Sequence, residues 1–104
     1  MNQAMTSIAL AGIMLVAALA PARAATDADF KAAFATADAA EKEAGRLRNQ
    51  WTTTEAALAA AKKAAEAGDF DRAVKSANEA EALARASIFQ ATSEKQRWKA
   101  MEIR

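Results

Sequence analysis

The side chains that could do chemistry in this chain are few in kind. Its 104 residues carry 14 Lys and Arg and 13 Asp and Glu, with no cysteine, histidine or tyrosine. That excludes disulfides, haem attachment through a C-x-x-C-H motif and zinc sites of the Cys/His kind. It also excludes Ser-His and Cys-His nucleophiles. Carboxylates, lysines and arginines remain. The acidic pair at the sharpest turn signal lies in Gly68-Asp69-Phe70-Asp71. Calcium needs several oxygen donors from a loop long enough to wrap the ion, and this stretch is too short. Asp69 and Asp71 instead read as helix-start devices. There is no glycine-rich phosphate loop, nucleophile elbow or metal-spaced cluster. No catalytic, cofactor-binding or metal-binding residue is therefore assigned, and an enzyme is not expected.

The other notable residues are large and apolar. Trp51 with Leu47, Ile88 and Phe89 forms the candidate partner-binding set. Tryptophan is enriched at binding hot spots. The competing reading is that Trp51 and Ile88 close an internal helix–helix seam.

Two features of the chain decide which elements position these residues. The first is its beginning. Residues 1–22 carry no charged side chain, and Ile8 to Ala20 is a 13-residue apolar run followed by Pro21 and Ala22-Arg23-Ala24. An A-x-A site after such a run predicts a cleaved secretory signal over residues 1–24. The run is short for a membrane span, which needs ~20 apolar residues. A retained anchor is the alternative. The expected product is periplasmic, with no membrane contact after cleavage. Loss of Arg23 leaves 13 cationic against 13 acidic side chains over residues 25–104. A neutral chain of interspersed signs has no bulk attraction for nucleic acid.

The second feature is helical periodicity. Thr26 suits a helix cap, with Asp29 placed to reach back to it. With Phe30 as heptad position a, the a series is Phe30, Ala37, Ala44, Trp51, Leu58 and Ala65. The d series is Ala33, Ala40, Leu47, Thr54 and Ala61. This register predicts one long helix with a coiled-coil-like face. Gly45 and the Thr52-Thr53-Thr54-Glu55 run, which fits a capping box, weaken its middle. A kink or restart near residues 49–54 is the alternative. Gly68 suits a helix end and Asp69 the next cap. A second helix follows from Phe70 past Trp98. The expected fold is all-α, an alanine-rich antiparallel two-helix hairpin over residues 25–104 with its turn at 68–69. In that hairpin Trp98 would lie beside Ala39 and Ala40, and Phe30 and Phe34 would pack against Trp98, Met101 and Ile103.

Such a hairpin has a seam rather than an enclosed core. Only thirteen large apolar side chains serve residues 25–104. Small chains usually need a staple, and a partner protein or self-association would supply it.

The segment Ala67-Gly68-Asp69-Phe70-Asp71-Arg72-Ala73-Val74 looks like the turn and second helix of one tetratricopeptide repeat, with no second copy in the chain. A longer stretch, AAEKEAG followed by QWTTTEAALAAAKKAAEAGDFDRAVKSANEAEALA, resembles the small SoxXA-binding proteins of bacterial sulfur oxidation. The matching positions are Trp51, Thr54, Lys63 to Ala65, Gly68 to Asp71, Ala73 and Val74, within residues 37–91. The chain departs from that pattern in Arg48-Asn49-Gln50 before the tryptophan and in lacking Gly and Tyr at 84–89. The resemblance implies a haem-free accessory protein that binds and activates the SoxXA c-type cytochrome complex. The alternative is a self-associating structural hairpin of the bacterial envelope.

Overall fold

The computed structural model describes residues 23–102; the expected signal segment lies almost wholly outside them. The described chain is all-α, with three helices: α1 (Asp27–Arg46), α2 (Thr52–Glu66) and α3 (Phe70–Met101). Alanine dominates each, and alanine has the highest helix propensity. Among the described residues no helix is long and apolar enough to cross a membrane.

α1 begins as its sequence dictates. Thr26 Oγ1 accepts from the Asp29 amide at 3.2 Å, and the Thr26 amide donates to Asp29 Oδ2 at 2.9 Å. This reciprocal box satisfies two of the donors that every helix start leaves open. The Thr26 backbone and side-chain hydrogen bonds hold the Asp29 carboxyl below its ordinary value.

The predicted single long helix breaks at Leu47–Trp51. α1 stops by a Schellman motif. The Arg48 amide donates to the Gly45 carbonyl at 3.0 Å and the Asn49 amide to the Ala44 carbonyl at 3.0 Å, with Arg48 at φ 56°. α2 stops by the same motif. Gly68 and Asp69 donate to Ala65 and Ala64 at 3.0 and 2.9 Å, with Gly68 at φ 81°. The left-handed conformation is easy for glycine and strained for arginine. α2 then begins at Thr52 with Trp51 as its cap and no side-chain capping bond, so the threonine run supplies no box. Asp69 caps α3 by accepting from the Arg72 amide at 3.2 Å.

The break reverses the chain once more than a hairpin would. The Ala25 amide donates to Asp71 Oδ1 at 2.7 Å, which ties the start of α1 to the start of α3. At the other end Asn49 Nδ2 donates to the Ser87 carbonyl at 2.7 Å and to Gln90 Oε1 at 3.0 Å. α1 therefore runs parallel to α3, and α2 lies antiparallel to both. The two-helix hairpin is corrected to a three-helix, up-down-up arrangement. α3 packs against both other helices, and α1 and α2 touch each other least.

The core is an alanine seam. Ala37, Ala40 and Ala44 of α1 meet Ala73, Ala77, Ala80 and Ala84 of α3, and Ala57, Leu58, Ala61 and Ala64 of α2 complete the buried set. Small side chains on all three helices allow close axial approach. Of the predicted a and d positions Ala37, Ala40, Ala44, Thr54, Leu58 and Ala61 are buried, and α1 and α2 each bury a further stripe. In α1 this is position e, Glu41; in α2 it is position g, Ala57 and Ala64. A helix with two neighbours hides a wider face than a coiled-coil seam.

The path also moves the large side chains. Phe30 and Phe34 pair in a tilted contact, with centroids 5.5 Å apart, and Lys62 Nζ stands 5.5 Å from the centre of the Phe34 ring. Phe34 packs on Ala37, Ala57, Leu58 and Ala80, not on Trp98 and Met101. Ala39 and Ala40 share a hollow with Arg85 and Ile88 rather than with Trp98. The cause is the same reversal at Leu47–Trp51: it carries α1 back beside the first half of α3.

Candidate partner-binding surface

α3 is the longest element. Its 32 residues span ~48 Å at 1.5 Å per residue, whereas the 15 residues of α2 span ~22 Å. The second half of α3 therefore runs beyond the bundle. Its buried positions Ala73, Ala77, Ala80, Ala84 and Ser87 alternate at spacings of four and three. The same alternation continues through Ala91, Glu94, Trp98 and Met101. Ala91 is half-buried beside Leu47, and beyond it the register runs on exposed among the described residues. Trp98 is 74% and Met101 66% exposed. Phe89, on an adjoining face, is 71% exposed.

Where the bundle ends, Leu47 and α3 enclose a hollow lined by Ala91, Thr92, Lys95, Gln96 and Lys99. Its floor is apolar and both ionisable groups on its rim are cationic. Leu47 is the C-cap residue of α1 and is half-buried. A second hollow, between α1 and α3, is lined by Ala35, Thr36, Ala39, Ala40, Glu43, Arg85 and Ile88. A third, beside the 68–69 turn, is lined by Lys63, Asp69, Arg72 and Ser76 with three alanines of α2 and its cap.

The four expected binding residues are not gathered into one patch. Ile88 is half-buried in the α1–α3 hollow. Leu47 closes the other hollow. Phe89 faces water, and Trp51 is half-buried at the start of α2. The turn residues Gly68, Asp69 and Phe70 occupy the places expected of them. Asp71 has a further task, the bond to Ala25, which no local pattern announces.

Two features were missed from the sequence. The exposed run of Trp98 and Met101 was placed against Phe30 and Phe34; the signal available was the unbroken α3 periodicity, which outlasts any helix able to cover it. The other is Glu41, one of the charges set off the a/d seam. It is 4% exposed, and neither carboxyl oxygen has a hydrogen-bond partner. Burial pushes its carboxyl up to about 7, with Glu55 and then Asp38 adding to the shift. The Thr54 hydroxyl on α2 is likewise buried and unpartnered. Several other charges form surface pairs one turn apart, among them Lys31–Asp27 at 3.0 Å, Lys42–Asp38 at 3.1 Å and Arg85–Glu81 at 2.7 Å. Such pairs contribute only ~0.3–0.5 kcal/mol each. Among the described residues no group of three or more acidic side chains is placed to hold a metal ion.

No family model, no curated protein and no solved structure matches this chain.

Proposed function

We propose that the protein is a non-catalytic, exported docking module whose α3 overhang seats a partner protein, and that this partner is the SoxXA c-type cytochrome complex of bacterial sulfur oxidation. One observation carries the docking reading. The seam register of α3 continues past the bundle through Ala91 and Glu94 and ends in Trp98 and Met101, both largely exposed. A tryptophan held on a rigid helix suits a hot spot, because little side-chain freedom is lost when it is covered. The hollow of Leu47, Ala91, Lys95 and Lys99 beside it offers an apolar floor between two cations. The choice of partner is supported by the resemblance over residues 37–91, and the periplasm by the apolar run before Ala22-Arg23-Ala24.

The test uses the processed chain and a purified SoxXA complex in a surface-binding assay. Saturable binding is expected. Trp98→Ala with Met101→Ala should weaken it by roughly 30-fold or more, the effect of losing a hot spot of ~2 kcal/mol, with far-UV circular dichroism unchanged. Absence of binding removes the partner. Binding indifferent to Trp98 and Met101 removes the surface. The self-associating envelope hairpin draws on the same uncovered seam. A stable oligomer in sedimentation equilibrium that Trp98→Ala dissolves would favour it.

A further inference from the structure

The weakest internal face of the bundle, where α1 meets α2, holds the most costly group. Glu41 lies 96% out of water with both oxygens unpartnered. Every ionisable group acting on it is acidic: Glu55 from α2, and Asp38 one turn earlier on α1. Asp38 is itself tied to Lys42 at 3.1 Å, so its push is softened. α3 brings only alanines and Ser87 into the buried layer. Its ionisable group towards α1 is Arg85, which lines the hollow of Ala40 and Glu43 and is bonded to Glu81. An ionised carboxylate with no hydrogen bond and no cation cannot stay in such a place. Its way out is to lift the end of α1. That end is held to α3 by buried Ala40 and Ala44 and by Asn49, which donates to Ser87 and Gln90; towards α2 it has only the thin α1–α2 face, and Gln50 Nε2 folds the loop back on the Glu41 carbonyl at 3.4 Å.

We propose that Glu41 is a proton-operated latch: protonated, it lies in the α1–α2 seam; ionised, it leaves the seam and the C-terminal half of α1 lifts from α2 together with the 47–51 loop. A proton on Glu41 removes the charge and provides a donor that the Glu55 carboxylate can accept. The direction of the pH effect follows. The folded carboxyl titrates near 7, above its ordinary 4.5. The closed form therefore has its full advantage below about 4.5 and loses it as pH rises through about 7. The opening equilibrium should shift by on the order of 10²-fold across that window, at tenfold per unit of raised affinity. Opening uncovers Thr54 and the alanine seam of α2 and α3. The latch does not depend on which partner binds the overhang.

Trp51 sits in the moving segment and is half-buried, so it can report the event. Replacing the exposed Trp98 by Phe leaves Trp51 as the only tryptophan. In Trp98→Phe protein, Trp51 emission should shift to the red between about pH 4 and 8, with a midpoint between about 4.5 and 7 and most far-UV helicity retained. Adding Glu41→Gln should abolish the transition, and Glu55→Gln should lower its midpoint. Should Glu41→Gln prove unfolded, Glu41→Leu takes its place with the same expectation. A flat profile, a transition that survives Glu41→Gln or Glu41→Leu, or loss of all helicity at the same midpoint would each overturn the latch.

Discussion

Arg48 sits where the two accounts of this chain predict opposite signs. In the structure it adopts φ 56° at the end of α1, in the place that Gly68 fills at the end of α2. A left-handed conformation costs an L-residue about 1–2 kcal/mol. Arg48→Gly removes that strain and adds glycine's greater unfolded freedom, about 0.5–1 kcal/mol. The net effect is a gain of about 0.5–1 kcal/mol. If residues 26–67 formed one helix, the same substitution would put glycine mid-helix and lose about 1 kcal/mol. Gly68→Ala is the matching control. Nothing lies within 4 Å of a Cβ built there, so its effect is backbone strain alone and should be a loss of about 0.5–1 kcal/mol. The two sites lie at opposite ends of α2, about 22 Å apart at 1.5 Å per residue. Their effects should therefore add in the double variant. The measurement is urea unfolding followed at 222 nm. For a domain this small the melting temperature should rise by about 2–8 °C with Arg48→Gly. Destabilisation by Arg48→Gly, at an unchanged denaturant slope, would refute the break at Leu47–Trp51.

Three further substitutions probe the same joint and core. Asn49→Ala removes two hydrogen bonds to α3, at 2.7 and 3.0 Å, and should lower stability by about 1–2 kcal/mol in denaturant titration. Hydrogen exchange in the last turn of α1 should rise with it. Gly45→Ala places a Cβ 2.8 Å from Gln50 Nε2, the movable tip of a flexible side chain. The helix gains about 1 kcal/mol against a small adjustment, so the melting temperature should rise; a fall would mean that the Gln50 bond to Glu41 matters more than its 3.4 Å length suggests. Thr54→Val exchanges a buried, unpartnered hydroxyl for a methyl of similar shape. A gain of about 1 kcal/mol is expected on thermal unfolding, since an unmade buried hydrogen bond costs about that or more.

The seam was legible where the path was not. The a and d positions Ala37, Ala40, Ala44, Thr54, Leu58 and Ala61 are all buried. A seven-residue register states which residues share a face, but it carries no sign for the direction of the axis. Ten residues separate Ala44 from Thr54, the a-to-d offset, so the pattern passes across the Leu47–Trp51 reversal without a fault. Gly68 announced the second stop because glycine is the residue the left-handed position favours. Arg48 concealed the first by filling the same position with a residue whose type argues against it. The buried e position at Glu41 was hidden for a related reason, since one neighbour would have left it in water and two do not.

That single concealed turn has consequences at the far end of the chain. Were the first two helices one rod, they would reach along the whole of α3, and Trp98 and Met101 would find partners in Phe30 and Phe34. Because α1 folds back, Phe34 packs on Leu58 and Ala80 beside Lys62, and Phe30 packs on Phe34. The same number of large side chains then covers a shorter length of α3, and the surplus stands outside. The sequence argument that so few large residues cannot enclose a core holds, but its remedy changes place. It is not the Leu47–Trp51 joint, where Trp51 and Ile88 are half-buried, that lacks a cover. The deficit is collected at Ala91, Trp98 and Met101, on a helix whose register is already set by the packed half. A partner helix laid there would meet an extension of an existing seam and need no rearrangement of the bundle, which makes the overhang the part of this protein best prepared to bind.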